Sequence, residues 1–525
     1  MALFRIKQFC FRWFLTVLFM LCGFTASIAY DFKSGNIYYN ILSATEKTAE
    51  VTHGEFSHKY SGEIIIPEEA EFEGTIYKVA SIRPEAFWGC TELTGITIPT
   101  SITGIEDYTF YRCTGLEKAT LPGSLTGIGN YTFFGCTKLD NVVIPDNVTA
   151  VGNCTFAECT GLKSITMGKN TKTIGEGAFR LCTALAQITI PQSVTAIGNG
   201  AFEFCTKLGK TAISGNNLTI IGDYAFQGCN LLTDITIPGS VTEIGASAFD
   251  GCISLASLTI PSSVTEIGTS AFDGCYGLTN ITVESGNYSY DSRGNSKAII
   301  ESATDKLIRG CNNTVIPNDI SHIGEWAFYN CTERTGITIP GSVTTIDNWA
   351  FYNCTGLTSV NIPGSVTEIG DYTFFGCTGL TKIAIPKSVT TIGDGAFYKC
   401  NSLTSIYSPS KIPATVGYYT FDSLYTATTL YVPIGAKATY RAAPYWSEFA
   451  NIVEAKFYIK GDVNDDGEVN VADITSLINI IVYNAPVVDA ADLNKDGEVN
   501  VADVTSVINI IMGVQEIEWE VRIFE

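Results

Sequence analysis

The chain has 525 residues, of which 46% are apolar and 16% are charged, and this composition excludes an intrinsically disordered protein. The formal net charge of −21 excludes a basic surface of the kind that binds nucleic acid or anionic lipid. The negative charge is concentrated near the C-terminus, because residues 457–525 contain three Lys or Arg against fourteen Asp or Glu, a net charge of −11. Such a local acidic excess indicates a bound cation.

The first 29 residues are typical of an export signal. Basic residues precede an apolar stretch at 13–24, and the small residues at 27–29 fit a cleavage site. The apolar stretch is too short for a comfortable membrane span. We therefore expect a mature protein that starts near Tyr30 and works outside the cytoplasm. A retained N-terminal anchor is the alternative.

Residues 63–424 repeat a pattern of 23 residues, L-x-x-I-x-I-P-x-x-V-x-x-I-G-x-x-A-F-x-x-C, as in LTDITIPGSVTEIGASAFDGC from Leu232. The Phe-x-x-Cys end occurs thirteen times, and a fourteenth copy has Leu424 in place of Cys. Alternating apolar residues predict a strand, which the Pro ends. The Gly after Ile permits a turn, and Ala-Phe is expected to pack in a short helical turn. Because one coil cannot bury its own apolar face, the coils must stack into a long, curved solenoid.

This pattern resembles the leucine-rich repeat of the BspA, or Treponema, type, found in bacterial surface proteins. The resemblance implies a leucine-rich repeat solenoid that is mainly β with short helical turns. It also implies a β-rich N-terminal cap at 30–62 and a C-terminal cap at 425–456. The repeat is interrupted at about 284–311, where we predict a hairpin with a turn at Gly294 and Asn295.

The cysteines of the repeat form a ladder with one residue per coil. Disulfides between stacked cysteines would have parallel Cβ vectors and a strained dihedral angle. We therefore predict buried free thiols, with Cys154 outside the ladder and more exposed.

Residues between the inward Leu and Ile positions of each strand should be exposed, and we call this set the ligand face. A flat, mildly polar face suits a protein or glycan ligand. The alternative is that Thr merely suits a solvated strand. The ligand face consists of Thr97, Thr120, Thr166, Thr189, Thr236, Thr259, Thr282, Thr338 and Asn361.

Aromatic residues near the turns are either a second binding edge or a cover for the coil ends. We call them the turn aromatics, and they are Trp88, Tyr111, Phe134, Trp326, Tyr329, Trp349, Tyr352, Phe375 and Tyr398.

The repeats show no sequence sign of an enzyme. The chain has three histidines, and no nucleophile elbow, phosphate loop or zinc spacing is present. Carboxylates such as Glu243 and Glu266 recur with the repeat, as solvated faces do. We predict a non-catalytic protein without catalytic residues.

Near the C-terminus, GDVNDDGEVNVADITSLINII (461–481) returns thirty residues later as ADLNKDGEVNVADVTSVINII (491–511), with 16 of 21 positions identical. Hard oxygen donors alternate along each copy, and Gly stands where a calcium loop must fold back. We predict two calcium ions, one in each loop. The predicted ligands, at loop positions 1, 3, 5, 7, 9 and 12, are Asp462, Asn464, Asp466, Glu468, Asn470 and Asp473 in the first loop and Asp492, Asn494, Asp496, Glu498, Asn500 and Asp503 in the second.

Each loop is followed by a predicted amphipathic helix, with one apolar stripe at 474, 477, 478 and 481 and the other at 504, 507, 508 and 511. A loop without a preceding helix, with Asp at position 12, resembles the type I dockerin. The resemblance covers 457–514 and leaves 515–525 as a tail. It implies a small all-α, calcium-folded domain that docks into a cohesin-like partner. In the family, loop positions 10 and 11 help to choose the partner, and here they are Val471, Ala472, Val501 and Ala502, which are small and apolar where members of the family often carry hydroxyl side chains.

These features predict a secreted or surface-displayed binding protein. Its solenoid would bind a host or bacterial surface protein or a glycan, and its dockerin-like end would attach it to a partner. One alternative is an auxiliary, substrate-targeting subunit of a polysaccharide-degrading complex. A second alternative makes the C-terminal module an intramolecular or homotypic clamp.

Overall fold

The computed structural model describes residues 30–54, 59–464, 469–488, 490–511 and 519–522. The predicted export signal, 1–29, lies outside this part. The described residues form mainly strands and turns, with three α-helices: α1 (Lys437–Ala442), α2 (Val471–Tyr483) and α3 (Val501–Ile511). None of the described helices is both long and apolar enough to cross a membrane.

The N-terminal cap is a five-stranded sheet, which covers the first coil. Its strands are mostly antiparallel, and one parallel pair joins Thr48–Thr52 to Thr75–Ile82. In spatial order they are Phe32–Ser34, Ile37–Ser43, Thr48–Thr52, Thr75–Ile82 and Glu69–Phe72.

Each coil contributes one strand to a long-strand ladder of parallel pairs, divided among five sheets. Equivalent residues pair, so Ile96 lies beside Ala119 and Val142 beside Ile165. The alternation predicted from the sequence is confirmed: Ile188 and Ile190 are buried while Gln187 and Thr189 are exposed. The strands are Gly62–Ile65, Leu93–Thr97, Lys118–Thr120, Asn141–Val143, Ser164–Thr166, Gln187–Ile190, Lys210–Ile213, Asp234–Ile235, Ser257–Ile260, Asn280–Val283, Gly336–Thr338, Ser359–Asn361, Lys382–Ala384, Ser405–Tyr407, Thr429–Pro433, Asn451–Ile459 and, antiparallel to the last, Trp519–Arg522.

A second ladder is formed by two-residue strands that end at the Ile or Val of the I-G motif, together with the three strands of the insert. It comprises two eight-stranded sheets that meet at the insert. The first contains Gly104–Ile105, Gly127–Ile128, Ala150–Val151, Thr173–Ile174, Ala196–Ile197, Ile220–Ile221, Glu243–Ile244 and Glu266–Ile267. The second contains Tyr290–Asp291, Ile299–Glu301, Lys306–Arg309, His322–Ile323, Thr345–Ile346, Glu368–Ile369, Thr391–Ile392 and Thr415–Val416.

The third side of each coil, expected as a short helical turn, is a run of three-residue turns. Cys113 N donates to Phe110 O at 3.2 Å within the coil, whereas Phe110 N donates to Thr132 O of the next coil at 2.8 Å. The residues two before and two after the Phe have positive φ, as at Tyr108 (58°) and Arg112 (55°). These residues with positive φ prevent a continuous helix from forming. About half of the backbone N–H groups on this side therefore donate to carbonyls of the neighbouring coil instead of their own.

The core is a stack of equivalent residues from successive coils. The Phe rings lie parallel, with centroids 5.3 Å apart for Phe133 and Phe156 and 5.5 Å apart for Phe156 and Phe179. The Leu, Ile, Val and Cys positions stack in the same way and are almost wholly buried. Burial at about 25 cal/mol per Å² makes this stack the main stabilising element of the fold.

The insert divides the core into two clusters. It forms three antiparallel strands, two hairpins in succession. The predicted turn residues Gly294 and Asn295 lie in the first hairpin, where they form a 3-10 turn (Arg293–Asn295) in a longer loop instead of a two-residue turn. Arg334 takes the Leu position of the following coil and donates to Asn312 O (2.9 Å) and Thr314 O (2.6 Å) of the insert.

The C-terminal cap closes the last coil with α1 and a 3-10 turn, Trp446–Glu448. Trp446 is fully buried, its Nε1 donates to Ala414 O at 2.8 Å, and its ring lies 4.9 Å from that of Phe421. The cap therefore continues the Phe stack with a larger ring and then ends it.

Helices α2 and α3 belong to a separate small core, built from Val463, Leu477, Ile480, Ala491, Leu493, Val507 and Ile510. The predicted stripe is partly wrong: Ile478 is 44% exposed and Ile508 is 38% exposed. Ile480 in α2 and Ile510 in α3 are buried instead, together with loop residues Val463 and Leu493, so the buried face of each helix is shifted from the predicted stripe.

Residues 515–525, predicted as a tail, contain a strand. Trp519–Arg522 pairs antiparallel with the end of the strand Asn451–Ile459, in the register Lys456 with Arg522 and Ile459 with Trp519. The segment that contains α2 and α3 thus leaves the solenoid's last sheet and returns to it.

Candidate functional site

The ligand face lies on the long-strand ladder, as predicted. Its residues point away from the core, and seven of the nine are exposed, while Thr97 and Asn361 are half-buried. The face continues at the C-terminal end with Tyr407 and Tyr431, whose rings stack 5.1 Å apart. Sequence reasoning missed these two tyrosines because their repeats are degenerate.

Hydrogen bonds separate the ligand-face threonines from the other threonines of the coil. Beside the second ladder, the threonine hydroxyl donates a hydrogen bond to a carbonyl of the previous coil. Examples are Thr242 Oγ1 to Thr219 O at 3.2 Å and Thr126 Oγ1 to Thr103 O at 3.0 Å. Of the ligand-face threonines, Thr282 accepts from Asn280 Nδ2 at 3.4 Å. The hydroxyls of the other seven make no hydrogen bond within the described part of the chain, so each can bond a ligand.

The turn aromatics stack on one another along the solenoid axis. Trp326 and Trp349 lie 4.8 Å apart with an interplanar angle of 2°, and Tyr352 and Phe375 lie 4.5 Å apart at 6°. A stacked ring presents its edge, not its face, to solvent. This arrangement favours the interpretation that the turn aromatics cover the coil ends.

The repeat cysteines are free and buried in the structure, and Cys154 is more exposed than they are, both as predicted. The structure adds a hydrogen bond: eleven of the thirteen ladder thiols, all except Cys90 and Cys331, donate to the carbonyl of the Phe in the previous coil, for example Cys182 Sγ to Phe156 O at 3.1 Å. Burial raises the pKa of Cys159 and Cys205 to about 12. These thiols are protonated structural donors, without nucleophilic character.

In the first C-terminal loop, position 12 ties the loop to its helix. Asp473 is completely buried at the start of α2, and its Oδ1 accepts from Val463 N at 2.7 Å and Asn464 N at 3.2 Å. Its Oδ2 accepts from Asn470 N at 2.8 Å, and Asn470 caps α2 by accepting from Ala472 N at 2.8 Å. The carboxylate thus fixes loop positions 2, 3 and 9 around one point.

The second loop repeats this arrangement around Asp503, which is also completely buried. Its Oδ1 accepts from Leu493 N at 2.8 Å and its Oδ2 from Asn500 N at 2.9 Å. At the loop entrance, Asp492 Oδ2 accepts from Gly497 N at 2.9 Å. The carboxylates at positions 1 and 12 therefore accept hydrogen bonds from the loop backbone near both of its ends and keep the loop folded.

The two loops differ in how much of the predicted ligand set can be located. Asp466 and Glu468 of the first loop lie outside the described residues. Within the described residues, no three His, Cys, Asp or Glu side chains form a preassembled metal cage. The predicted donors of the second loop, from Asp492, Asn494, Asp496 and Asp503, are all carboxylate or amide oxygens. This chemistry fits a hard cation such as Ca²⁺ and does not suit zinc or copper.

Each helix presents an exposed apolar row beside its loop. Val471 and Val501 are 67% and 70% exposed, and Ala472 and Ala502 are exposed next to them. The exposed side of Ile478 extends the row along α2. The predicted partner-binding residues therefore lie on the surface, two on each helix.

Comparison with known families agrees with this architecture. The model described as "BspA type Leucine rich repeat region" matches residues 80–209, 197–304 and 298–428, which together span more than half of the chain. The model described as "Dockerin type I domain" matches residues 460–512, and domains of this type bind calcium. No curated protein matches the chain.

Two solved structures are similar to the solenoid. A leucine-rich repeat protein from Bacteroides ovatus is 27% identical, with a TM-score of 0.51, and the alignment covers 81% of this chain and 100% of that one. A leucine rich cell surface protein from Faecalibacterium prausnitzii is 26% identical, with a TM-score of 0.48, covering 80% of this chain and 98% of that one. The chain belongs to the BspA-type leucine-rich repeat family and carries a type I dockerin domain at its C-terminal end.

Proposed function

We propose that the protein is a secreted or surface-displayed, non-catalytic binding protein with two binding ends. The solenoid binds a protein or glycan through the ligand face, and the dockerin domain, loaded with two calcium ions, docks into a cohesin-like partner. The observation that carries this proposal is the combination of seven ligand-face threonines without a hydrogen bond in the described residues and an exposed apolar row beside each C-terminal loop.

The calcium ligands would be the oxygens at positions 1, 3, 5, 7, 9 and 12 of each loop. A calcium ion supplies positive charge that gathers these oxygens into one shell. The buried carboxylates of Asp473 and Asp503 already hold the loop backbone to the helices, so ion binding would order the loop against a fixed helix start. The ordered helices then present the apolar rows to the partner.

Isothermal titration of the full chain with calcium tests this part of the proposal. We expect two bound ions for the native chain, one for Asp492→Ala and none for Asp462→Ala/Asp492→Ala. Calcium-dependent capture of a purified cohesin module should be lost in the double variant. Native-like binding of two ions by the double variant would show that these loops do not hold the ions.

The ligand face is tested with arrays of glycans and surface proteins. Replacing Thr236 and Thr259 with Lys places two bulky charges on the face, and we expect the strongest array signal to weaken about tenfold, or about 1.4 kcal/mol. The matched control is Thr242→Lys/Thr265→Lys, which changes the same residue type beside the second ladder, away from the ligand face. Equal binding by both double variants would argue against the ligand face.

A further inference from the structure

At its C-terminal end the ligand face continues into two tyrosines, which we call the tyrosine pair. Tyr407 and Tyr431 stand in register on neighbouring parallel strands, and their rings stack 5.1 Å apart at an interplanar angle of 23°. Both side chains are half-buried, and neither hydroxyl has a hydrogen-bond partner in the described part of the chain. The pair therefore brings aromatic surface and two unbonded hydroxyls together at one place on the solenoid.

The tyrosine pair differs from the rows of turn aromatics because its outer ring faces meet no other ring. Within the described residues, the two tyrosines stack on each other and on no third aromatic side chain. The strand before Tyr407 carries Ala384 in register, and the strand after Tyr431 carries Val453. A methyl group is too short to cover a tyrosine ring, so the outer face of Tyr407 is available to a ligand.

The part of the long-strand ladder that leads to the tyrosine pair is almost free of charge. Each coil has three x positions in L-x-x-I-x-I-P, and nearly all of them are exposed or half-buried. Of the 24 x positions in the eight coils of 255–433, one is charged, Lys382. We call these 24 positions, from Ala256 to Tyr431, the neutral face. The eight coils of 61–238 carry seven charges at the same positions, at Glu63, Glu117, Lys118, Asp140, Lys163, Lys210 and Asp234.

The neutral face is continuous across the insert. Residues 312–315 take the place of a strand there, because Asn313 Nδ2 donates to Thr279 O of the preceding coil at 3.2 Å, and Arg334 of the following coil donates to Thr314 O at 2.6 Å. At about 4.8 Å per strand, the eight coils give the face a length of about 34 Å. Ser, Thr or Asn occupies 17 of its 24 positions.

We propose that the neutral face binds a neutral polysaccharide, which lies along the solenoid axis and stacks on the tyrosine pair. Hydroxyl and amide side chains both donate and accept hydrogen bonds, as sugar hydroxyls do. The outer face of the Tyr407 ring suits the C–H face of a sugar ring. The tyrosine hydroxyls add two further polar groups beside that ring.

The lack of charge favours a polysaccharide over a protein ligand. About a quarter of the residues of an average protein are charged. Charges that are buried against the neutral face would lose their water without gaining a partner, which costs free energy. An anionic polysaccharide meets the same cost, since Lys382 is the single cation of the face. A neutral polysaccharide brings no charge that must be desolvated.

This inference rests on the proposed function, because it names the ligand class of the solenoid and the half of the ladder that binds it. The test is isothermal titration of the full chain with soluble β-glucan, α-glucan, galactomannan and arabinoxylan, and with polygalacturonate as the anionic probe. The first variant, Tyr407→Thr/Tyr431→Thr, removes both rings. It installs the residue that eight other coils carry at the same repeat position, so the coils should remain folded.

The second variant, Thr259→Lys/Thr338→Lys, places two charges on the neutral face. Its matched control is Thr120→Lys/Thr166→Lys, which places the same charges at the same repeat position in the other half of the ladder. All four threonines are exposed. Circular dichroism of each variant confirms that the coils are folded.

We expect at least one of the neutral polysaccharides to bind, and each of the two test variants to raise its Kd about tenfold. The control should leave the Kd unchanged. No binding of any neutral polysaccharide, or equal binding by the native protein and Tyr407→Thr/Tyr431→Thr, would overturn the inference. Tighter binding of polygalacturonate than of the neutral polysaccharides would overturn the ligand class.

Two further outcomes separate this inference from the proposed function. A protein bound on the arrays and lost in Thr236→Lys/Thr259→Lys, with no polysaccharide bound, would support the proposed function and overturn the inference. Polysaccharide binding that is lost in Thr120→Lys/Thr166→Lys but kept in Thr259→Lys/Thr338→Lys would place the ligand on the charged half of the ladder. The proposed function would then stand, and the neutral face would not be the site.

Discussion

The glycine that follows Ile in most coils is required for a reason other than the turn we predicted. Gly245 has no positive φ, but a Cβ there would lie 2.6 Å from the backbone carbon of Gly222 in the previous coil. This glycine is needed because two backbones approach closely. Gly251 is the opposite case: its φ is 73°, and the nearest atom to a Cβ, Gly228 Cα, is 3.6 Å away.

These two glycines give matched variants. We expect Gly245→Ala to lower the free energy of unfolding by about 1–3 kcal/mol, because the backbone of the previous coil must move. Gly251→Asn should cost less than about 1 kcal/mol, since Asn330 and Asn353 adopt φ of 55° and 57° at the same repeat position. Urea denaturation followed by circular dichroism measures both. A larger loss for Gly251→Asn would contradict the close-approach explanation.

The buried cysteines are expected to lower the stability of the folded state at alkaline pH. The thiol pKa rises from 9.0 to about 12 for Cys159, Cys205, Cys275 and Cys400, because burial disfavours the thiolate. The folded state therefore holds these protons more tightly than the unfolded state does. Their stabilising contribution is fully present below pH 9 and is lost progressively as the pH rises towards 12.

We expect the midpoint of urea denaturation to fall steadily between pH 9 and about 11, in reducing buffer. A variant with Ala at Cys182, Cys205 and Cys229 should be less stable at pH 7, because three thiol–carbonyl bonds are lost, and should show a weaker pH dependence. An identical pH dependence in this variant would assign the alkaline loss to other groups, such as buried tyrosines.

At the scale of elements, the features that recur in every repeat could be predicted from the sequence, whereas features that occur only once could not. The strand alternation, the Phe stack and the buried cysteines follow from the repeat pattern, which is clear because it occurs in thirteen copies. The exposure of Ile478 does not, since an apolar stripe of four residues is compatible with several helix pairings, and in the one that forms Ile480 is buried instead.

Long-range pairings are the second class of feature that the sequence did not predict. Arg334 stands at a Leu position because the insert supplies carbonyls for its guanidinium, and no local pattern shows this. The Trp519–Arg522 strand has a sequence too short to identify without its partner strand.

For the whole molecule, the antiparallel pair between 456–459 and 519–522 connects the dockerin domain to the solenoid at both of its ends. A domain held by one chain segment swings freely, whereas two hydrogen-bonded strands restrict its orientation. The apolar rows beside the calcium loops would then point in a constant direction relative to the ligand face. The dockerin core is separate from the solenoid core, so this strand pair carries the connection.

Deleting residues 515–525 tests this connection. We expect the amide hydrogens of 456–459 to exchange faster, because their strand loses its antiparallel neighbour, while those of 429–433, paired inside the sheet, keep their protection. Calcium binding should be unchanged, since the loops and the dockerin core remain. Unchanged protection at 456–459 would mean that the strand pair does not hold in solution, and the dockerin domain would then move on a single flexible segment.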